Sequence, residues 1–327
     1  MESTNVTQFL ANVNVLTIMW FAVALTVLRL AFIRLPGKTI GALVEIIEAA
    51  LIAGVLVFMI IQPFIVKAFY IPSGSMRTTL IDDDHILVNR FGYRLHTPHH
   101  DDVVVFNAPD KALEMEGQTP TSTPVDYIKR LIGLPGDTLE VHGGIITIDG
   151  NTYTHRDVRP FFHLSATDPD SLDKQHLKFL PDGISVYDGN KWRFFSAADV
   201  ALKIKGPGPA DITISPGYVK RNGVILKEPY IAEDPDYNLE ISKNGDLVTS
   251  DPGGTFSKIN GVYADADQLA NIGQHPDGKI PSDRVVVMGD NRNDSNDSTK
   301  WGTLNEDRLV GRAFFIFYPF SRIRVIH

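Results

Sequence analysis

Two apolar runs near the N-terminus constrain this chain more than any other feature. Between Glu2 and Arg29 there is no charged residue; the apolar core of that stretch runs from about Val15 to Leu28, and Ala31–Ile33 extend it past Arg29. A second uncharged run covers Ala49 to Val66. A helix needs about 20 mostly apolar residues to cross the hydrocarbon core of a bilayer, so both runs read as membrane spans. Glu45 and Glu48, at i,i+3, share one helix face upstream of the second run. A lipid-facing carboxylate at depth is expensive, which puts this face near the membrane edge or against a partner helix. The first run does not have the pattern of a cleavable leader, because such a leader opens on positive charge and this chain opens Met1-Glu2-Ser3. Arg29, Arg34 and Lys38 gather around the link Leu35-Pro36-Gly37. Basic residues stay cytoplasmic, so the link is expected inside, and the N-terminus and everything after about Lys67 outside.

After Lys67 the pattern changes. Short strand-like runs, among them His85–Asn89, Val103–Phe106, Ile145–Ile148, Val219–Leu226 and Val285–Met288, alternate with Asp149-Gly150, Asp182-Gly183, Asp188-Gly189 and Asn222-Gly223 turns. Helical patterns are limited to Ala198–Lys203 and Ala264–Asn271. The fold class expected is mostly β behind two N-terminal transmembrane helices. The length of 327 residues suits about two folded units. The expected organisation is 1–38 for the first span and its cytoplasmic link, 39–67 for the second span, 68–154 for the first half of a core, 155–280 for an insertion, and 281–327 for the second half of the core. The net charge of −8 argues against nucleic acid as a partner. Without cysteine, disulfides, thiolate catalysis and zinc–cysteine sites are excluded.

Three segments carry candidate chemistry. Directly after the second run comes Ile71-Pro72-Ser73-Gly74-Ser75-Met76, a small turn between apolar residues that can expose a hydroxyl. Next, Lys129 lies in the apolar stretch Tyr127-Ile128-Lys129-Arg130-Leu131-Ile132. A lysine held inside such a stretch loses hydration, its pKa falls, and its neutral amine can act as a base. The third is Gly289-Asp290-Asn291-Arg292-Asn293-Asp294-Ser295-Asn296-Asp297-Ser298. Its acidic density suggests a calcium loop, but counting from Asp290 the sixth position is Ser295 rather than Gly and the twelfth is Trp301 rather than Glu. It reads instead as a hydrogen-bonded turn packed against an active site. No metal site is expected there, nor at His96, His99 and His100, which read as a solvated loop. Taken singly, the Ser-Gly-Ser turn is more often a plain turn and Lys129 more often a solvated strand lysine.

In order and context the three segments resemble the type I signal peptidase family. That family places a Pro-Ser-Gly-Ser-Met nucleophile motif just outside its last membrane anchor, then a strand with Tyr-Ile-Lys-Arg-x-Ile-Gly-x-Pro-Gly-Asp, then a Gly-Asp-Asn-Arg-x-x-Ser-x-Asp-Ser loop. Asp102–Phe106 with Pro109, the hairpin Gly217–Glu233 and the tail Gly311–Ile326 are similar as well. About 155–212 and 235–280 match nothing in the family's motifs. The resemblance implies an antiparallel β catalytic core with an inserted β subdomain, and a membrane-bound endopeptidase that removes signal peptides from exported preproteins at small-x-small sites. By matching position, Ser75 is the nucleophile and Lys129 the general base, a Ser–Lys variant of triad logic. Ser73 joins the Ser75 N–H in the oxyanion hole, and Ser295 orients the lysine. Phe69, Ile71, Pro72, Leu80, Tyr127 and Ile128 wall the substrate pockets. Arg130 and Asp290 form a structural charge pair, and Asp297 belongs to the loop's internal pairing. The resemblance implies no cofactor, preproteins and membrane lipid as partners, and a multi-pass place in the bacterial inner membrane with the catalytic domain outside.

Two positions depart from the pattern. Thr78 stands where a proline is usual. Thr299 stands where an arginine is usual, which takes away the expected partner of Asp297 and leaves Lys300 or Arg292 as substitutes. Two other readings compete. Self-cleaving repressors share a Ser–Lys pair but carry a DNA-binding domain where this chain has apolar runs. A tethered, non-enzymatic β domain gives no reason for Ser75, Lys129 and Ser295 to occur together.

Overall fold

A computed structural model describes residues 15–32, 38–55, 66–165, 175–254, 256–265, 268–269 and 278–327. The first apolar run forms the helix Val15–Phe32. The next helix, Lys38–Val55, begins upstream of the second run. Glutamate is a good helix former, and Glu45 and Glu48 lie within this helix, upstream of the charge-free run. Arg29 Nη2 lies 3.1 Å from Glu48 Oε1, so that carboxylate meets the partner helix. Among the described residues no helix is long and apolar enough to cross a membrane. The Leu35-Pro36-Gly37 link and residues 56–65 of the second run lie outside the described residues.

The chain divides into two compact units. The first holds the helix pair, and in it Val66–Tyr70 runs antiparallel to His85–Asn89, with Phe69 opposite Ile86 and Tyr70 opposite His85. His85–Asn89 pairs on its other side with the C-terminal strand Leu309–Tyr318, Ile86 facing Ile316 and Val88 facing Ala313. The His85 ring packs edge-on against Tyr70, Phe317 and Tyr318.

The second unit comprises Ile71–Asp84, Pro98–Val310 and the last two residues. One antiparallel ladder runs Val103–Asn107, Asp126–Gly133, Arg284–Met288, Leu304–Asn305. A second sheet has the order Val224–Ile225, Tyr218–Arg221, Leu139–His142, Asn238–Ile241, Leu247–Ser250, Ser257–Ile259, Val262–Tyr263. Ile132, Val286 and Met288 of the ladder share one apolar core with Leu139, Val219, Leu239 and Leu247 of the sheet. The run Val219–Leu226 thus resolves into a hairpin. Its turn residues Asn222 and Gly223 have φ +51 and +80, and Asp149 and Gly150 have φ +49 and +84 in a similar turn. Those left-handed pairs suit Asn-Gly and Asp-Gly and twist with the strands they join.

A further core, built on Ile146, Ile148, Phe162, Leu177, Phe179, Ile184, Val200 and Ile214, gathers two three-stranded sheets, one of His176–Leu180, Gly183–Tyr187 and Trp192–Ser196 within the region without family motifs, the other joining Ile145–Ile148 and Asn151–Thr154 to Ile212–Ser215. Against it lies the helix Ala197–Lys205, started by Ser196, whose hydroxyl accepts from the Asp199 N–H while the Asp199 carboxylate reaches back. The helix expected over Ala264–Asn271 lies largely outside the described residues.

Candidate active site

Ser75 sits in the middle of a single 3-10 turn, Gly74–Met76. Met76 and Leu80 are fully buried and Ile71 nearly so; these apolar anchors pull the chain inward on both sides and leave Ser73 exposed and Ser75 half-buried, with Gly74 buried between them. The first N–H groups of so short a helix find no acceptor inside it, and that of Ser75 is among them. Ser73 and Pro72 are exposed.

Lys129 comes from mid-strand, opposite Val104. Its side chain is only 4% exposed. Nζ lies 2.8 Å from Ser75 Oγ and 2.9 Å from the Ile128 carbonyl oxygen. Burial, the largest influence, disfavours the ammonium; the negative charges of Asp297, Glu116 and Asp290 partly restore it, and the pKa is pushed down to about 8. As a neutral amine Lys129 has two N–H groups and one lone pair, so the lone pair can receive the Ser75 proton across the same 2.8 Å.

The acidic loop holds this pair from behind. The Asn291 N–H donates to the Ser75 carbonyl oxygen at 3.0 Å, and Asn291 Nδ2 to the Gly74 carbonyl oxygen at 3.4 Å. Asp290, fully buried, takes a fork from Arg130, Nε to Oδ1 at 2.8 Å and Nη2 to Oδ2 at 2.7 Å. The Thr79 hydroxyl bonds the same carboxylate, and the Tyr230 ring lies 3.8 Å from the guanidinium carbon. Asp297 does without an arginine. Its carboxylate accepts from the Thr299 N–H at 3.0 Å, the Thr299 hydroxyl at 2.7 Å and the Gly289 N–H at 2.8 Å. Arg292, one of the substitutes considered for Asp297, is paired with Glu228 instead. The Thr78 hydroxyl donates to the Tyr230 carbonyl oxygen at 2.9 Å.

Ser295 is buried in the same loop, but among the described residues its hydroxyl makes no hydrogen bond, and Lys129 bonds Ser75 and Ile128 only. Of the expected pocket residues, Ile71 and Leu80 are core, while Tyr127 and Ile128 are half-buried. Phe69 is half-buried in the first unit, under the Lys67 ammonium at 4.4 Å. Strand Arg284–Met288 pairs with Arg130, Leu131 and Gly133 but not with residues 126–129, whose ladder is open on that side among the described residues. Among the described residues no group of three His, Asp or Glu is arranged to hold a metal; His100 is engaged by Asp137 at 2.7 Å.

A family model described as signal peptidase, peptidase S26, matches residues 43–192 and 199–318. The chain belongs to this family. It is 28% identical over 265 residues to Signal peptidase I of Buchnera aphidicola subsp. Baizongia pistaciae, covering 80% of this chain and 73% of that protein. Over 272 residues it is 25% identical to Probable signal peptidase I-1 of Synechocystis sp., covering 83% and 81%. Signal peptidase IB of Staphylococcus aureus is 26% identical over 282 residues, covering 86% and 93%. The chain is therefore a serine endopeptidase, a signal peptidase that removes signal peptides from preproteins.

In this signal peptidase Gly289 has a spatial rather than a conformational duty. A Cβ there would strike Ser295 Oγ and the Ser75 carbonyl oxygen. Gly289→Ala is expected to displace the Ser75 turn and lower kcat by ~100-fold, the scale of a ~1 Å misplacement at a reacting centre. A kcat within threefold of the parent, measured on a preprotein, would show that the contact is unimportant.

Several contributors escaped sequence reasoning. Thr79, Asn291, Asn293 and Glu228 act through partners far along the chain, and no local pattern marks them. The one available signal was the density of Asn and Asp in the loop, which announces hydrogen bonding without naming partners.

Proposed function

We propose that this signal peptidase works through Ser75 and Lys129. The observation that carries the reading is the 2.8 Å approach of a buried, pKa-depressed amine to a serine hydroxyl at the crest of a turn. Neutral Lys129 takes the Ser75 proton as Oγ attacks the scissile carbonyl carbon. The Ser75 N–H and the Ser73 hydroxyl receive the oxyanion, a contribution of about 3–4 kcal/mol per well-aimed donor. Collapse of the tetrahedral adduct breaks the C–N bond, and protonated Lys129 returns its proton to the departing amine of the mature protein. Lys129 then deprotonates a water, which hydrolyses the acyl-enzyme and frees Ser75.

The preprotein is proposed to lie extended along residues 126–128, whose unpaired ladder side suits strand addition. Ile71, Pro72, Leu80, Tyr127 and Ile128 are proposed as pocket walls that admit small side chains before the cut. Ser295 is proposed to orient the amine, which has one N–H left over when it faces Ser75 and Ile128. Ser295→Ala is accordingly expected to lower kcat by ~10-fold, less than any loss at Lys129; an equal or larger loss would mean that the two roles are exchanged. Arg130, Asp290 and Asp297 are structural in this scheme, and no metal or other cofactor takes part.

The apolar runs at 15–33 and 49–66 are proposed as transmembrane helices of a bacterial inner-membrane enzyme. The catalytic domain then faces the periplasm, lipid is a partner and nucleic acid is not. A membrane-impermeant thiol label applied to intact cells with a permeabilised outer membrane is expected to reach a cysteine placed at Gly189 and not one at Gly37. The opposite labelling would reverse the orientation. For the reaction itself, incubation of the purified protein with a precursor carrying an Ala-x-Ala site should release a mature product of the mass expected for a cut after the second alanine. An intact precursor, or a cut elsewhere, would overturn the cleavage-site reading.

A further inference from the structure

A buried carboxylate ties the region without family motifs to the active-site loop. Glu233 is 1% exposed and divides its two oxygens. Oε1 takes Arg159 Nη1 at 3.2 Å and lies 3.2 Å from His176 Nδ1. Oε2 accepts from Asn293 Nδ2 at 2.8 Å. Arg159 is 2% exposed and is itself fixed by the carbonyl oxygens of Ser165, at 2.6 Å, and Gln175, at 2.7 Å. Asn293 also donates to the Asp234 carbonyl oxygen at 3.0 Å and accepts from the Asp236 N–H at 2.9 Å. Asp234 is locked in turn by the His155 ring at 3.0 Å, the Phe179 N–H at 2.8 Å and the Gly217 N–H at 2.7 Å.

Asn293 stands two residues after Asn291, whose N–H holds the Ser75 carbonyl oxygen. Burying a carboxylate is costly unless it is paired. Burial alone would raise the Glu233 pKa, but His176 and Arg159 outweigh it and hold the group below the usual carboxylate range. The charge that grips Asn293 therefore exists because Arg159 and His176 supply its counterpart. We propose that Glu233 and Asn293 are positioning residues for Ser75, and that Arg159 makes the inserted region a working part of the active site. The proposal rests on Ser75 being the nucleophile.

The test is a double-mutant cycle on the full chain with a preprotein substrate. Arg159→Met and Asn293→Ala are each expected to lower kcat, corrected for the folded fraction from near-ultraviolet circular dichroism, by ~10–100-fold, the range for a small displacement at a reacting centre. KM should stay within about threefold, since no pocket residue changes. Because both act through Glu233, the double variant should be within about threefold of the worse single one, whereas independent sites would multiply their losses. Arg159→Lys, which keeps the charge, should recover part of the loss. Unchanged corrected kcat in Asn293→Ala, or multiplicative losses in the double variant, would overturn the proposal. Should Arg159→Met fail to fold, Asn293→Ala decides alone, because it removes no buried charge. Ser75→Ala, run alongside, separates the two readings. If it retains activity, the nucleophile assignment fails; if it is inactive while Asn293→Ala is unimpaired, only the positioning role fails.

Discussion

Ser75→Ala and Lys129→Met are each expected to lower kcat/KM by a factor on the order of 10⁴ or more, the loss seen when one member of a hydrolytic serine–base pair is removed. The two losses should not multiply, since an attacking oxygen without a base and a base without an oxygen are equally idle. Folding does not confound the lysine variant. At pH 7 Lys129 is charged in both the folded and the unfolded chain, and burial makes that charge costly only in the folded one. A pKa brought from 10.5 to about 8 corresponds to on the order of 3 kcal/mol of destabilisation below pH 8. Between about pH 8 and 10.5 the unfolded chain binds a proton that the folded chain has released, so the stability of the parent rises with pH across that window. Methionine removes the penalty and also two hydrogen bonds worth about 1 kcal/mol each. Lys129→Met should therefore unfold in urea no earlier than the parent at pH 7 and lose that standing above pH 10. An inactive variant that is also unfolded at pH 7 would leave the catalytic role of Lys129 unsupported.

Arg130→Ala is expected to cost about 3–5 kcal/mol of unfolding free energy, because it strands Asp290 with no countercharge in a site closed to water. Both partners are nearly inaccessible, Arg130 at 1% and Asp290 at 0%. The guanidinium also holds the Asp101 and His327 carbonyl oxygens, at 2.8 and 3.0 Å. Lysine should rescue little, since one ammonium cannot reproduce the fork or lie flat against the Tyr230 ring. Urea unfolding of Arg130→Ala and Arg130→Lys reads this directly. A loss below about 1 kcal/mol in the alanine variant would mean that water reaches Asp290.

What the sequence revealed of this architecture follows the range of the forces involved. The strand His85–Asn89 has the bounds expected from its residues, and the Asp149-Gly150 and Asn222-Gly223 turns take left-handed conformations. Strand alternation and turn chemistry are local, and a few neighbouring residues suffice to express them. Family motifs brought Ser75, Lys129, Arg130 and Asp290 to one place on the page before geometry did. The burial of Lys129, which depresses its pKa, was foreshadowed by its apolar neighbours, but the charges of Asp297, Glu116 and Asp290 that partly offset the depression were not.

Other features were illegible for a physical reason. Asp297 looked deprived because Thr299 replaced an arginine; the shorter side chain instead bonds the carboxylate within two residues, and Asp297 itself caps the turn Ser298–Trp301 by accepting from the Thr299 N–H. The contacts of Arg159 and His176 with Glu233 span 74 and 57 residues and belong to a region with no recognisable motif. Nothing in local periodicity encodes which buried carboxylate will meet which cation.

The pH dependence of kcat/KM on a purified preprotein tests the central claim most directly, because it reports the ionisation of the free enzyme's base. A Lys129 base predicts activity that rises through an acidic limb near pH 8, with the limb unmoved when His99 or His142 is replaced. A limb near ~6.5, the ordinary value for histidine, that disappears on replacing one of the histidines would contradict it.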